Sequence, residues 1–161
     1  RLGALPVPTE NLDLAEVVSD VVNDARYEAG GRQIGIEWQQ QAPVPLIGDR
    51  CSLASAIENV LRNALRFAPA HSAIRVRLLS NSHEACLEIE DRGPGVASEE
   101  LEALFEPFYR TASGARKAGS GAGLGLSIAQ AAVAAHTGTM SARNISPQGL
   151  CVRMELPRLA G

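Results

Sequence analysis

Two carboxamides and a guanidinium, Asn59, Asn63 and Arg66, stand four and then three residues apart, so a helix carrying them sets all three along one side. Together they can meet a bound polar ligand. Asn is a poor helix former, because its side chain competes for backbone hydrogen bonds, so two of them in register mid-helix call for a reason. A solvated face that happens to use Asn is the plainer reading of the same pattern. A second group is Asp91-Arg92-Gly93-Pro94-Gly95, a D-x-G-x-G turn whose glycines permit positive φ and the close approach of a flat ring. It also fits an ordinary turn in which Asp caps the loop. A third is GSGAGLGLSIAQ, where Gly119, Gly121, Gly123 and Gly125 alternate before a helical stretch. Free backbone N–H groups and a helix amino end converge there, which suits phosphate. The spacing is neither the P-loop nor the dinucleotide fingerprint, and a flexible linker is the alternative. Between the glycine loops, Arg110, Arg116 and Lys117 lie in a small, polar segment that reads as a mobile lid, where they can reach phosphate oxygens or simply face solvent.

These residues need elements to hold them. Residues 51–68 place Leu53, Ala56, Ile57, Val60, Leu61, Ala64 and Phe67 at helical spacing, with the Asn pair at the stripe's edge. An earlier helix begins at Asp13 and Glu16, which resemble a capping box, runs through Leu14, Val17, Val18, Val21 and Ala25, and ends at Gly30-Gly31. Ile34, Ile36 and Trp38 alternate as a short strand, and the segment with Pro43 and Pro45 reads as a loop. Residues 74–79 and 84–91 form a hairpin about Ser80 to His83. In its second strand Ala85, Leu87, Ile89 and Asp91 share the apolar face, so the Asp91 carboxylate points inward and needs hydrogen bonds. LCVRMEL adds a strand with Leu150, Val152, Met154 and Leu156 inward. The outward Arg and Glu residues of these strands can pair, contributing modestly if exposed. SEELEALF reads as a short helix capped by Ser98, and Ile128, Ala131, Ala132 and Ala135 as the small-residue face of a last helix. One-faced strands predict a sheet with helices on one side.

The chain has 161 residues, 45% hydrophobic and 20% charged, with a net charge of −3, which suits one soluble globular domain and argues against a general nucleic-acid binder. No apolar run approaches membrane-spanning length and no signal peptide is visible. The absence of Met at Arg1 suggests a piece of a longer protein. Cys51, Cys86 and Cys151, an odd count without CxxC, suggest reduced thiols. His71, His83 and His136 make no HExxH, and no zinc site is expected.

The order of the motifs is the strongest signal. ENVLRNALRFAP, DRGPG, LFEPFYR and GSGAGLGLSIA resemble the N, G1, F and G2 boxes of the sensor histidine kinase catalytic and ATP-binding domain, of the GHKL (Bergerat) ATPase superfamily. The resemblance spans residues from about Leu12 to Pro157. It implies an α/β two-layer sandwich, with a mixed, mostly antiparallel sheet, three main helices on one face and a mobile ATP lid, over residues 12–161 after a lead-in of 1–11. It implies ATP and Mg2+ as ligands. Asn63 resembles the magnesium ligand, Asn59 lies near the phosphates and Arg66 faces them. Phe67 stands where the family often has Tyr. Asp91 resembles the acceptor for adenine's exocyclic amine, with Gly93, Gly95 and Val96 beside the base. Gly119, Gly121, Gly123 and Gly125 wrap the phosphates with Leu124 and Leu126 at the lid hinge. Phe105 and Phe108 pack the lid, Tyr109 lies by the base or ribose, and Arg110 and Lys117 meet phosphate.

Hydrolysing members of the superfamily place a Glu four residues before the magnesium Asn. Here that position holds Asn59, Glu58 is rotated about 100° away, and a carboxamide is no general base. Asn59 and Arg110 are therefore the expected catalytic groups of a phosphoryl transfer. The acceptor His box is absent, since His83-Glu84 lacks its context and His136 reads as structural. The expected partners are the kinase's own dimerisation and histidine-phosphotransfer domain and a response regulator, with no nucleic acid. The resemblance further implies a homodimeric parent in a bacterial inner membrane and a monomeric, cytoplasmic isolated domain. A non-catalytic nucleotide-binding or protein-interaction module on the same fold is the alternative.

Overall fold

The computed structural model describes residues 9–39, 41–109 and 125–159. Helix α1 (Leu14–Gly31) opens at Asp13, whose Oδ1 accepts from the N–H of Ala15 at 3.0 Å and from that of Val44 at 2.8 Å. The cap is real, but Glu16 does not close a box. It pairs instead with Arg50, 2.9 Å away at the start of the next helix. Helix α2 (Arg50–Phe67) buries Leu53, Ala56, Ile57, Val60, Leu61, Ala64 and Leu65. Each large apolar side chain buried there contributes about 1.5–3 kcal/mol. Leu65 is in the core and Phe67 only half-buried, because the stripe drifts around the helix over five turns. Helix α3 (Gly125–Ala135) turns Leu126, Ala129 and Val133 inward, followed by His136. The expected face of Ile128, Ala131 and Ala135 points outward, so that expectation is corrected by about one position.

The main sheet has strands β2 (Gly35–Glu37), β4 (Ala73–Ser80), β5 (Glu84–Asp91), β7 (Leu150–Pro157) and β6 (Thr139–Asn144) in that spatial order, β2 parallel to β4 and the rest antiparallel. A separate ribbon pairs β1 (Glu10–Asp13) with β3 (Pro45–Gly48). The ribbon replaces the expected loop. Pro45 tolerates it by sitting at the strand's first residue, opposite Asp13. Strand β6 was not foreseen, and TMSARN is a half-exposed edge strand with little apolar content. The expected SEELEALF helix is two 3-10 turns, Ser98–Glu100 and Glu102–Phe105, and Ser98 makes no side-chain cap.

The core lies between the helices and one sheet face, where Ile74, Val76, Leu78, Leu87, Ile89, Val152 and Met154 are buried. The opposite face is not simply solvated. Glu88 and Glu90 are 3% and 6% exposed beneath a layer of guanidiniums. Arg77 reaches Glu88 at 2.6 Å and Glu90 at 3.2 Å, and Arg153 reaches Glu88 at 3.0 Å. Central strand β5 is thus covered on both sides: the outward Arg and Glu residues pair across strands as expected, and the β5 carboxylates in those pairs are buried. Glu88, Glu90 and Cys151 bring potential ligand atoms within 4.8 Å of one another, but the arginines already neutralise the carboxylates.

Candidate functional site

Helix α2 sets Asn59 and Asn63 half-buried at the edge of its apolar face and Arg66 exposed in its last turn. Asn59 spends its amide on its own helix, donating from Nδ2 to the Ser55 carbonyl at 3.0 Å. Its Oδ1 faces the start of α3, where a Cβ added to Gly125 would lie 3.6 Å away. Glu58 stands around the helix, 3.4 Å from Arg62, and lines the groove between α1 and α2 with Asp24 and Glu28.

Asp91 ends β5 with 2% exposure. As strand parity required, its carboxylate receives a hydrogen bond, from the Gly93 N–H to Oδ1 at 2.8 Å. Gly93 then passes α2 so closely that a Cβ there would meet the Phe67 carbonyl oxygen at 2.6 Å and the Phe67 Cβ at 3.1 Å. No larger residue fits without parting loop from helix. This contact brings the D-x-G-x-G loop to the end of the helix that carries Asn63 one turn earlier. Gly95 has φ +68°, a conformation that L side chains rarely adopt.

Three residues that hold this loop went unforeseen. Asn144 accepts from the Val96 N–H at 2.9 Å and donates to the Val96 carbonyl at 2.6 Å. Gln148 donates to the Arg92 carbonyl at 2.9 Å. Gly149, at φ +133°, packs so that an added Cβ would lie 2.1 Å from the Asp91 carbonyl oxygen. The turn signal of SPQG was available in the sequence, but what it touches was not.

Phe105 is buried against α3, in the wall of a groove with Ala131, Ala134 and Met140. Phe108 does not join it. It has φ +63° and is 63% exposed, so the expected pair of packed phenylalanines is one packed and one at the surface. The Tyr109 hydroxyl donates to the Glu100 carboxylate, and that bond, reinforced by desolvation and the nearby Glu100 and Glu106 charges, pushes its pKa up to about 12. Leu126 is in the core, next to Gly125 at the start of α3. Arg110, Arg116, Lys117, Gly119, Gly121, Gly123 and Leu124 lie outside the described residues. His136 is structural as expected: Nε2 accepts from the Asp49 N–H at 2.9 Å and Nδ1 lies 2.7 Å from the Ala132 carbonyl, which selects the Nδ1–H tautomer.

A helix edge rich in carboxamides, a buried carboxylate at a glycine turn and the start of a third helix thus converge. Known proteins resemble this chain in sequence and fold. A family model described as histidine kinase-, DNA gyrase B-, and HSP90-like ATPase matches residues 48–160. The sensor histidine kinase CpxA of Escherichia coli is 34% identical over 151 residues, covering 92% of this chain and 32% of its own length. The sensor protein kinase PmrB of Pseudomonas aeruginosa is 34% identical over 148 residues, covering 91% of this chain and 30% of its own. The chain thus spans about a third of the length of these curated relatives. Among solved structures, the mycobacterial sensor histidine kinase MprB superposes with a TM-score of 0.82 at 30% identity, covering 94% of this chain and all (100%) of that one. Full-length ShkA, solved in complex with AMPPNP, shares the fold at a TM-score of 0.79 and 23% identity, over 99% of this chain and 33% of that one. The chain belongs to the histidine kinase-, DNA gyrase B- and HSP90-like ATPase family, on its sensor histidine kinase branch.

Proposed function

We propose that this domain binds Mg-ATP between α2, the D-x-G-x-G loop and the segment leading into α3, and donates the γ-phosphoryl group to a histidine on a separate dimerisation domain. The observation that carries this reading is the contact of Gly93 with Phe67. It sets a buried carboxylate, suited to an exocyclic amine, beside a helix edge whose carboxamides suit hard cations and phosphate. The donor set fits the ligand. Asn63 offers an oxygen that Mg2+ accepts, and Asp91, its Oδ1 held by the Gly93 N–H, offers its side chain to the base edge. Val96 and Gly95 flank the base, with Arg66 and Phe67 at the end of the helix. On the family resemblance, Tyr109, Arg110 and Lys117 are assigned to the ribose and phosphates, and Gly119, Gly121, Gly123, Leu124, Gly125 and Leu126 to the phosphate loop and its hinge. Bound Mg-ATP supplies a phosphoryl group whose bond to ADP breaks as one to an imidazole nitrogen forms. The chain's own contribution is orientation and charge neutralisation.

The groups near the phosphates favour transfer over hydrolysis. Asn59 is no base, and Glu58 is engaged with Arg62 in the α1–α2 groove. Residues 12–161 form the catalytic unit, and the partners are the parent's own histidine-bearing domain and a response regulator. The parent is a homodimer in a bacterial inner membrane. This domain is its cytoplasmic, monomeric part. Among the described residues no helix is long and apolar enough to cross a membrane.

Calorimetric titration with a non-hydrolysable ATP analogue should show saturable binding that strengthens with magnesium. Asp91→Asn should weaken it by at least about tenfold, since the lost charged hydrogen bond is worth about 1.5–3 kcal/mol. Labelled ATP and a separately supplied acceptor domain should give label on histidine with little free phosphate. Binding without transfer would favour the non-catalytic alternative, and steady phosphate release would favour a hydrolase.

A further inference from the structure

We propose that Asn144, with Gln148, positions the base-reading loop and thereby sets the discrimination between adenine and guanine nucleotides. The proposal rests on the nucleotide reading above and adds a specificity element to it. In the sheet register Asn144 pairs with Leu150, and Leu150 pairs with Asp91, so the three lie in one row across β6, β7 and β5. Row partners on antiparallel strands share a face, so Asn144 and Asp91 rise on the same side of the sheet. The loop from Asp91 to Val96 leaves one end of that row and is held at the other.

The hold is specific. The Asn144 carboxamide uses both its functions on the backbone of one residue, accepting from the Val96 N–H at 2.9 Å and donating to the Val96 carbonyl at 2.6 Å. Gln148 donates to the Arg92 carbonyl at 2.9 Å. A Cβ on Gly95 would lie 2.6 Å from the Asn144 Oδ1 and 3.1 Å from the Gly149 carbonyl oxygen, so only glycine passes beneath the amide. On the loop's other flank Gly93 abuts Phe67. The loop is therefore clamped between α2 and the β6–β7 turn, with the Asp91 carboxylate at its root.

A carboxylate accepts a hydrogen bond from an amine and repels a carbonyl oxygen at the same place, so it separates adenine from guanine only while its position relative to the base is fixed. Asn144 and Gln148 are exposed, and Asn144 carries no core packing. Removing either amide lets water replace its bonds, loosening the loop while leaving the fold in place.

The test measures binding of fluorescent ATP and GTP analogues to the wild type, Asn144→Ala and Gln148→Ala, with thermal unfolding in parallel. The expected result is an unchanged unfolding midpoint and at least a fivefold fall in the ATP-to-GTP affinity ratio in Asn144→Ala, with a smaller fall in Gln148→Ala. Wild-type ratios in both variants overturn the proposal, and so does an equal loss of both nucleotides, which would mark a merely structural role. A wild type that binds neither nucleotide refutes the nucleotide reading itself, a result distinct from either of these.

Discussion

At the scale of single residues, chemistry follows from what each side chain is given to touch. Asp91 is kept inside by the N–H of Gly93, and Glu58 is withdrawn by Arg62. The cysteines show the same dependence. Cys51 is exposed, whereas Cys86 and Cys151 are buried on the outer side of the sheet. Burial pushes the Cys151 thiol from its ordinary 9.0 up to about 12 against the opposing pull of Arg143, with the charges of Glu88 and Glu90 adding to the rise and Arg77 opposing it. Between pH 9 and about 12 the unfolded thiol has lost its proton and the folded one keeps it. The unfolded chain then binds fewer protons, and stability falls as pH rises through that window. This one group contributes at most about 1.4 kcal/mol per pH unit. We expect Cys151→Ala to flatten the alkaline limb of a plot of unfolding free energy against pH. A thiol reagent at pH 8 should modify Cys51 alone until denaturant is added. An alkaline limb as steep in the variant as in the wild type would remove Cys151 from the explanation. Asp91's inward direction was legible in the sequence, because strand parity is a local property. Its neighbours Asn144 and Gln148 were not, because nothing in the local pattern says which distant peptide a surface amide meets.

At the scale of elements, α2 is the hub, packed on α1, α3 and β5. Its ends are tied by groups from elsewhere. Arg50 in the first turn pairs with Glu16 at 2.9 Å and Asp20 at 2.8 Å on α1, and Arg32 donates to the Leu65 carbonyl at 2.7 Å near the last. His136, just past α3, accepts the Asp49 N–H before the first turn and packs on Gly48, where an added Cβ would come within 2.7 Å of the ring. His136→Ala should cost about 1–3 kcal/mol in urea unfolding, because it leaves that N–H without its buried acceptor. An unchanged midpoint would mean that water replaces the imidazole at no cost. The helices α1 and α2 were legible because a 3.6-residue period over five turns outweighs local noise. The β1–β3 ribbon and β6 were not. Pro45 argued against a ladder it merely begins, and β6, TMSARN, buries too little to carry a clear apolar alternation. The capping box at Glu16 was a correct local pattern overruled by a tertiary partner, Arg50.

At the scale of the whole molecule, the sheet has two different faces, one packed on helices and one roofed by ion pairs. Arg153 lies 3.0 Å from Glu88, which is almost wholly buried, while Arg75 lies 3.5 Å from Glu37, whose side chain is 61% exposed. The two pairs should therefore differ on truncation. Arg153→Ala leaves a buried carboxylate short of a partner and should cost about 1–3 kcal/mol in denaturant unfolding. Arg75→Ala should cost no more than about 1 kcal/mol. Equal effects would show that the outer face is solvated in solution. The order of four motifs along the chain determined the family, and helical period and strand parity determined where Asn59, Asn63 and Asp91 face, because both depend only on neighbours in sequence. Only the tertiary structure decided that Glu88 and Glu90 are buried, that Phe108 stands apart from Phe105, and that Asn144 grips the loop after Asp91. Each of these depends on strand register and helix packing between segments far apart in the chain, which local periodicity does not encode.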